Sequence, residues 1–493
     1  MMGRQPATQP QLFYTRFNLE GRVRSNHPLR KIEGLVGLDF VYKEVREGYG
    51  RNGNVSVPPP VILKLMLLLV FYNVRSEREL METLPERLDW LWFLGYDIDS
   101  EIPDHSVLSK ARRRWGVEVF KRLFERVVCQ CVEAGRVDGE KIFMDSSLIE
   151  ANASNNSIMD RQSLERYLRK GYAEFEQRLE KEEEEKDSDN NDEGKGQANQ
   201  RHISMTDPEA AVIRQRGVVK SKPRYKTHRA VDGAHEVITA TEITPGGVDE
   251  AHRLMLLVES HRENTGRSAK VVVADSKYGT IDNVLACHDR GIKAHIPDLK
   301  KAQDKGHRRE GIFPTEAFQY DRETDTYRCP AGEILRRRSP HKGRESADYA
   351  ASTKSCRGCV LRSQCTTSKT SRTLLRHLRQ EEIEAMRNQA RSWISRRDIF
   401  IRQHLMERSF AQATRLGFKR MRWRRLWRAK IQDYLTAALQ NIKILITHGM
   451  KPKRACTIQI PMAGRSRETP QALRPLHFLK SMFVPNFGWC PAV

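Results

Sequence analysis

Apolar residues return at helical spacing through the first third of the chain. Three prolines at 58–60 suit the first turn of a helix, and apolar side chains then recur every three or four positions as far as Cys131. This period is that of helices that bury one face. We therefore predict an all-helical domain over residues 58–138. An irregular arm over residues 1–57 is expected before it.

One helix of this region ends in a run of basic residues. It begins at Pro103-Asp104-His105-Ser106 and continues through Lys110, Arg112 and Arg113. A short helix with a basic end, placed after a turn, fits helix-turn-helix recognition of DNA. Arginines that only complement the negative end of the helix dipole would give the same pattern. Both interpretations stay open, and the first predicts that Lys110, Arg112 and Arg113 contact DNA.

The pattern changes to short apolar strands after residue 139. Residues 141–144 run straight into Asp145, and Val271-Val272-Val273 leads through Ala274 to Asp275. Consecutive valines are typical of a strand covered on both faces, as in a parallel sheet. Strands disfavour Asp, and a buried carboxylate is unfavourable unless a metal or hydrogen bonds compensate. Because open α/β sheets bind ligands at the carboxyl ends of their strands, Asp145 and Asp275 are predicted to share one divalent metal.

The neighbouring segments predict the rest of an α/β domain. A hairpin is centred on Asp232-Gly233, a helix follows at 250–261, and a further helix and strand come after Asp275. The order β, ββ, α, β, α, β is that of a ribonuclease H-like mixed sheet with flanking helices. We assign this domain to residues 139–448 and expect a mobile C-terminal tail over residues 449–493.

Two insertions interrupt the predicted domain. Residues 155–220 are polar, and their acidic run predicts a solvated helix that grades into disorder. Residues 300–380 contain a Cys-x2-Cys turn, which offers two thiolates to a tetrahedral zinc ion. We predict a small Cys-rich, zinc-ribbon-like insertion, and a reduced-cysteine subdomain without metal is the alternative. The candidate zinc ligands are Cys329, Cys356, Cys359 and Cys365.

The chain carries a large basic excess. Lys and Arg number 86 against 63 Asp and Glu, a net charge of +23. Such charge drives binding to the phosphates of a nucleic acid whatever its base sequence, so a nucleic acid is the first partner to expect. A protein that adheres to many partners without specificity is the alternative. The N-terminus lacks the apolar core of a signal peptide, and the most apolar run, at 60–72, is too short to span a membrane. A cytoplasmic protein without membrane contact is expected.

Residues 396–430 concentrate this charge. Twelve Lys or Arg accompany two acids there, so the local net charge is twelve minus two, or +10, and two tryptophans lie among them. Aromatic side chains within a basic surface are typical of nucleic-acid grooves. The residues of this region predicted to contact DNA are Arg402, Arg408, Arg415, Lys419 and Trp423.

Glu407 is the acid of this basic region that could complete the metal site. On a helix it neighbours Phe400, Phe410 and Ala411, which predicts an inward, apolar face. A carboxylate there needs a metal or a cation beside it, and an ion pair with a nearby arginine is the alternative to a metal. Other acids after the cysteines fit a solvated helix start, namely Glu381, Glu382 and Glu384.

A series of short motifs, in this order, resembles bacterial insertion-sequence transposases with an Asp-Asp-Glu (DDE) catalytic domain. The motifs are Pro103-Asp104-His105-Ser106, Met144-Asp145-Ser146-Ser147, Tyr225-Lys226-Thr227-His228 with Asp232, Ala274-Asp275-Ser276-Lys277-Tyr278-Gly279, the four cysteines, Glu407-Arg408-Ser409-Phe410-Ala411 and the helix from Thr436 to Asn441. The resemblance covers residues 20–448. It implies a ribonuclease H-like fold, with catalytic acids at Asp145, Asp275 and Glu407 that bind Mg²⁺ or Mn²⁺. One departure is Thr414, which stands where related transposases often carry a lysine.

The resemblance also implies an activity and its partners. Such a transposase binds the ends of its own element in double-stranded DNA, cuts there, and joins the cut strand to a target site. A homodimer or larger assembly on DNA, associated with the bacterial nucleoid, is expected. Two alternatives stay open: a ribonuclease H-like nuclease or resolvase that cuts without joining, and a transposase-derived regulator that only binds DNA.

Overall fold

The computed structural model describes residues 18–50, 55–164, 202–214, 220–298, 312–341 and 345–449, together with Met2, Arg166 and Gly343. The predicted acidic helix within 155–220 and the predicted tail from residue 450 onward lie outside the described residues.

The N-terminal region is helical from its first described segment. Its helices are α1 (Leu19–Arg22), α2 (Pro28–Leu35), α3 (Phe40–Val45), α4 (Pro59–Phe71), α5 (Glu77–Thr83), α6 (Leu88–Leu94), α7 (Ser106–Trp115) and α8 (Glu118–Glu133). The prediction of an irregular arm over 1–57 is therefore wrong for residues 18–50. Helix α2 has a proline at its first position and buries Leu29 and Ile32, which are spaced as helical core positions. The proline and the helical spacing of Leu29 and Ile32 are visible in the sequence, but they cover a helix of only eight residues.

Helix α4 forms the centre of this region. Every residue from Pro59 to Val70 is buried, as expected for a helix that is apolar on all sides. Its one charged side chain, Lys64, donates to Glu33 at 2.8 Å, so the charge is compensated. No described helix is both long and apolar enough to cross a membrane.

A six-stranded mixed sheet follows. Its strands and the neighbouring small hairpin are β1 (Lys141–Glu150), β2 (Ile158–Asp160), β3 (His202–Ser204), β4 (Ala211–Ile213), β5 (Lys222–Asp232), β6 (Ile238–Pro245), β7 (Val271–Val273) and β8 (Lys293–His295), with β2 and β3 forming the hairpin. The order is β4–β5–β1–β7–β8, and β6 also pairs with β5. Strand β1 is antiparallel to β5 and parallel to β7. The predicted α/β class with a mixed sheet is confirmed.

Alternate residues of β1 enter different cores, as the pleat of a strand requires. Ile142 and Met144 pack in a cluster with Leu257 of α9 (Leu254–Thr265), on the side that also holds α10 (Ile281–Asp289). Phe143 points to the other face and joins the core of the N-terminal helices. The sheet is thus covered on both sides near Asp145.

The predicted Cys-rich insertion contains a sheet of its own. Its elements are β9 (Gln319–Asp321), β10 (Thr326–Arg328), β11 (Ile334–His341), β12 (Ser346–Ala350), α11 (Thr353–Arg357), α12 (Arg362–Cys365) and β13 (Thr373–His377). The strands form an antiparallel sheet in the order β13–β12–β11–β10–β9. A small core around Tyr327, Leu335 and Tyr349 supports it.

Three helices complete the described chain: α13 (Gln380–Ala390), α14 (Trp393–Arg415) and α15 (Leu426–His448). Leu435 and Ile442 of α15 lie in one hydrophobic cluster with Leu65 of α4 and Phe124 of α8. The N-terminal helices and the sheet domain therefore share a core, and the described residues belong to one compact unit. The predicted boundary near residue 138 marks a change of secondary structure within that unit.

Candidate active site

Asp145 and Asp275 lie side by side on neighbouring parallel strands. The ladder between β1 and β7 ends at Phe143 opposite Val273, and each aspartate follows two residues later, Asp145 within β1 and Asp275 just after the end of β7. Asp145 keeps about a quarter of its side chain exposed, and Asp275 is half-buried. The sheet topology thus brings together the two acids that the strand pattern singled out.

Both carboxyl groups are partly removed from water. Burial raises the pKa of Asp145, while Arg402 and the Ser146 N–H, which donates to it at 2.8 Å, oppose that rise. Burial also raises the pKa of Asp275, and the nearby Glu250 carboxylate adds to the effect. Two partly buried acids next to each other favour a bound cation, because a cation relieves both the desolvation and the mutual repulsion.

Arg402 of α14 is the cation that meets Asp145. Its Nη1 donates to Asp145 Oδ2 at 2.5 Å, and only 12% of its side chain is exposed. One helical turn earlier, the buried Asp398 accepts from Lys141 Nζ and from His295 Nδ1, both at 2.8 Å. These contacts hold α14 against β1 and β8. The buried Asp398 therefore helps to position Arg402 beside Asp145.

Glu250 is a nearby acid that the sequence interpretation did not find. It lies on the short turn after β6, is buried, and accepts from Lys226 at 3.1 Å and from Lys277 at 3.0 Å. Although burial opposes them, the two lysines hold the pKa of Glu250 below its ordinary value. The Lys277 side chain is 62% exposed, and the backbone N–H of Lys277 donates to Asp275 Oδ1 at 3.0 Å. The signal in the sequence was an acid three residues after the Pro-Gly-Gly that ends a strand, which does not by itself indicate a site.

Glu407 does not join the two aspartates in this structure. Its side chain is exposed and accepts from Gln403 Nε2 at 3.2 Å, one turn earlier on α14. The prediction of an inward, apolar face is wrong, because the neighbouring Phe400 is itself 63% exposed. The helix turns its other side, with Met406 and Ser409, toward the core. Sequence spacing placed Glu407 on a stripe with Phe400 but could not tell which stripe of α14 is buried.

One group of three potential metal ligands lies within 4.8 Å among the described residues, and it lies elsewhere. It consists of His288, Asp289 and Glu382. All three are partly or fully exposed, and Arg379 pairs with both carboxylates. The surface ion pair accounts for this group without a metal.

The basic residues predicted on α7 separate into two sets. Lys110 and Arg113 are exposed. Arg112 is buried, pairs with Glu77, and stacks on the Trp423 ring at 4.0 Å, while Trp423 Nε1 donates to the same Glu77 at 2.9 Å. Arg112 and Trp423 thus form an internal contact between α7 and the segment before α15, so this packing does not favour the DNA contacts predicted for them.

The other predicted DNA contacts lie along α14 and just after it. Arg408 is exposed and pairs with Glu236 in the turn between β5 and β6. Arg415 lines an open cavity of about 490 Å³ together with Lys443 and His448. Lys419 is exposed. Arg408, Arg415 and Lys419 thus place positive charge on the exposed side of α14 and just after its end.

The four predicted cysteine ligands converge. Cys329, Cys356, Cys359 and Cys365 line one cavity of about 30 Å³ beside the insertion's sheet. All four are free thiols, and burial raises the pKa of Cys365. No three of these sulfur atoms lie within 4.8 Å of one another in the described chain, so they surround a common space without forming a closed tetrahedron.

Two parts of the chain match known protein families. Residues 17–114 match a transposase domain family (DUF772), and residues 328–446 match the transposase DDE domain family. No curated protein matches the sequence. The chain is also similar to a solved structure, the piggyBac transposase synaptic complex with hairpin DNA, at 10% sequence identity and a TM-score of 0.34, over 86% of this chain and 75% of that one.

The two family matches fall on the parts of the molecule that frame the aspartates. The first spans helices α1 to α7, and the second runs from the Cys-rich insertion through α14, with Arg402 and Glu407, to the end of the core stripe on α15. Both families are transposase domains, and they follow each other in one chain whose sheet brings Asp145 beside Asp275. The chain is therefore a DDE-type DNA transposase.

Proposed function

We propose that this transposase cuts DNA at the ends of a bacterial insertion sequence and joins the cut strand to a target, using divalent metal held by Asp145, Asp275 and Glu407. The observation that carries the proposal is the β1–β7 register, which sets two partly buried carboxylates next to each other. Carboxylate oxygens are the ligands that Mg²⁺ and Mn²⁺ prefer. The strand order, with an antiparallel hairpin beside two parallel strands, supports a ribonuclease H-like domain.

The reaction is a pair of displacements at phosphorus. In the first, water attacks the phosphodiester, the P–O bond to the 3′ oxygen breaks, and a free 3′ hydroxyl remains. In the second, that hydroxyl attacks a phosphate of the target strand, and the P–O bond to the 3′ oxygen of the target breaks. Two metal ions, when bound, supply activation of the attacking oxygen and stabilisation of the leaving oxygen. Lys277, exposed next to Asp275, is placed to neutralise the charge of a phosphate oxygen.

Glu407 has to reorient to take part. It lies five residues beyond Arg402 on α14, about 7.5 Å along the helix axis at a rise of about 1.5 Å per residue. The Gln403 bond that holds it is exposed and costs little to break. We propose that Glu407 completes the site when metal and DNA are bound.

The proposed DNA surface consists of exposed basic residues on α7, on α14 and just after α14. Contacts of this type with DNA phosphates give affinity that does not depend on the base sequence, and they position the DNA strand. Arg112 and Trp423 are left out because Arg112 pairs with Glu77 and Trp423 donates to the same carboxylate. The surface comprises Lys110, Arg113, Arg408, Arg415 and Lys419, and we expect a homodimer or larger assembly on DNA.

We also propose that the four cysteines bind one structural Zn²⁺. Their thiols face a single cavity, and four thiolates are the commonest closed zinc site. Because the sulfur atoms are more widely spaced than a zinc tetrahedron allows, binding would draw the loops of α11 and α12 toward Cys329.

The proposal is tested with purified protein, its own element's ends and Mg²⁺ or Mn²⁺. Asp145→Asn, Asp275→Asn and Glu407→Gln should each lower cleavage and strand transfer by about a hundredfold or more, the scale of losing a group that acts on the transition state. The matched control is Glu384→Gln, because Glu384 is also exposed and also accepts from a glutamine one turn earlier, at 2.8 Å. That variant should retain both activities.

The outcomes separate the proposed functions. Cleavage that survives in both aspartate variants would refute the assignment of the site. Cleavage without strand transfer would identify a nuclease or resolvase, and DNA binding without cleavage would identify a regulator. Activity lost in Glu384→Gln but kept in Glu407→Gln would place the third acid on α13.

A further inference from the structure

The guanidinium of Arg402 lies where a cation bound to both aspartates would act. It contacts Asp145 directly, and its charge opposes the rise in the pKa of Asp145 and of Asp275 alike. One side chain thus compensates both acids. Among the cations of the described site, Lys277 also lowers the pKa of Asp275, but its ammonium pairs with Glu250.

Arg402 is incompletely satisfied in this position. Its Nε is buried and has no hydrogen-bond partner among the described residues. A guanidinium has five N–H donors arranged as a fork, which suits bidentate binding of a carboxylate or a phosphate. Leaving a buried donor unpaired costs free energy, so the contact with Asp145 is not the best arrangement this side chain could have.

The helix that carries Arg402 is held independently of it. Asp398 anchors α14 to Lys141 and His295, and none of these residues contacts the Arg402 guanidinium in the hydrogen bonds of the described chain. The side chain of Arg402 can therefore leave Asp145 without releasing the helix. A long arginine side chain has the rotamers needed for such a movement.

We propose that Arg402 is an internal counter-ion that substitutes for metal in the metal-free site and moves to a DNA phosphate when metal binds. The inference rests on the proposed function of Asp145 and Asp275 as metal ligands. A metal ion on Asp145 and a guanidinium within hydrogen-bonding distance of the same carboxylate repel each other, so each disfavours the other. Arg402 therefore weakens metal binding before DNA arrives and strengthens DNA binding afterward.

The test compares metal affinity with DNA cleavage in the same variants. Mn²⁺ binding to the full chain without DNA is measured by calorimetry. Arg402→Gln should bind Mn²⁺ about tenfold more tightly, the lower end of what a charge at this distance does to a neighbouring carboxylate. The same variant should cleave DNA at least about tenfold more slowly, because it lacks the phosphate contact. Arg402→Lys, which keeps the charge, should bind Mn²⁺ close to the wild-type affinity.

The matched control is Arg387→Gln. Arg387 on α13 is also a mostly buried arginine in an ion pair, with Asp298 at 3.3 Å, and it lies outside the proposed site. Its Mn²⁺ affinity should not change.

Unchanged or weaker Mn²⁺ binding in folded Arg402→Gln would overturn the inference and leave Arg402 a structural ion-pair residue. If Arg402→Gln fails to fold, Arg402→Lys decides, since a distinctly altered Mn²⁺ affinity there contradicts the charge argument. Unchanged Mn²⁺ binding in Asp145→Asn would instead refute the proposed metal site itself.

Discussion

At the scale of single residues, the basic side chain of Arg229 is part of the buried core of the sheet domain. Arg229 of β5 pairs in register with Asp145 of β1, and its side chain is fully buried. It donates to Gln440 Oε1 at 2.9 Å and lies 3.6 Å from Asp433 of α15, which also accepts from Thr227 and Thr241. In a chain of net charge +23, an arginine next to the strand that contains Asp145 suggests DNA contact, yet this one is buried in the core.

Removing the partner of Arg229 should therefore destabilise the protein. We expect Asp433→Asn to lower the free energy of unfolding by about 3–5 kcal/mol, because it leaves a buried charge uncompensated. Urea unfolding followed by circular dichroism measures the change. The double variant Arg229→Met with Asp433→Leu should recover part of the loss, and an Asp433→Asn protein as stable as wild type would show that Gln440 and water suffice to stabilise Arg229.

At the scale of elements, the Cys-rich insertion shows what spacing can indicate. The Cys-x2-Cys turn pointed to a metal site, and the four thiols do face one cavity. The antiparallel sheet beside them was not predicted, because its strands are short and β11 is basic and mostly exposed. The apolar alternation that reveals a half-buried strand is then almost absent.

The zinc proposal is tested on this element. Protein purified without chelator should contain about one zinc per chain, as a closed four-thiolate site does. Cys356→Ser should lose that zinc and lower the thermal midpoint of the insertion, whereas Cys129→Ser, which changes an unrelated thiol on α8, should change neither. Elemental analysis that finds no zinc in the wild-type protein would contradict the proposal.

At the scale of the whole molecule, the N-terminal helices are tied to the sheet domain by a shared core. Helix α15, from the far end of the described chain, packs against α2, α4 and α8. Its buried stripe includes Ile431, Leu435 and Ile442. Without α15, the apolar side chains of α4 and α8 would face water, at a cost of about 25 cal/mol per Å² of exposed apolar surface.

A fragment of residues 1–138 should consequently not fold alone. We expect it to lack a cooperative thermal transition and to bind an apolar dye, while residues 1–449 unfold cooperatively. Circular dichroism and dye fluorescence on both fragments measure this. Native-like helicity with cooperative unfolding in the short fragment would show that the N-terminal region is an independent domain.

The sequence alone determined the features that depend on local pattern and composition. The apolar runs before Asp145 and Asp275 predicted that the two acids lie on neighbouring strands, and the parallel register of β1 and β7 agrees, although β1 continues to Glu150. Net charge indicated a polyanionic partner, and the helical period indicated most helices. Only the tertiary structure decided that Glu407 faces outward, that Arg112 is buried, and that Arg402 meets Asp145. The physical reason is that burial and ion pairing are set by whichever distant segment packs against a side chain, and that choice leaves no periodic trace in the residues on either side.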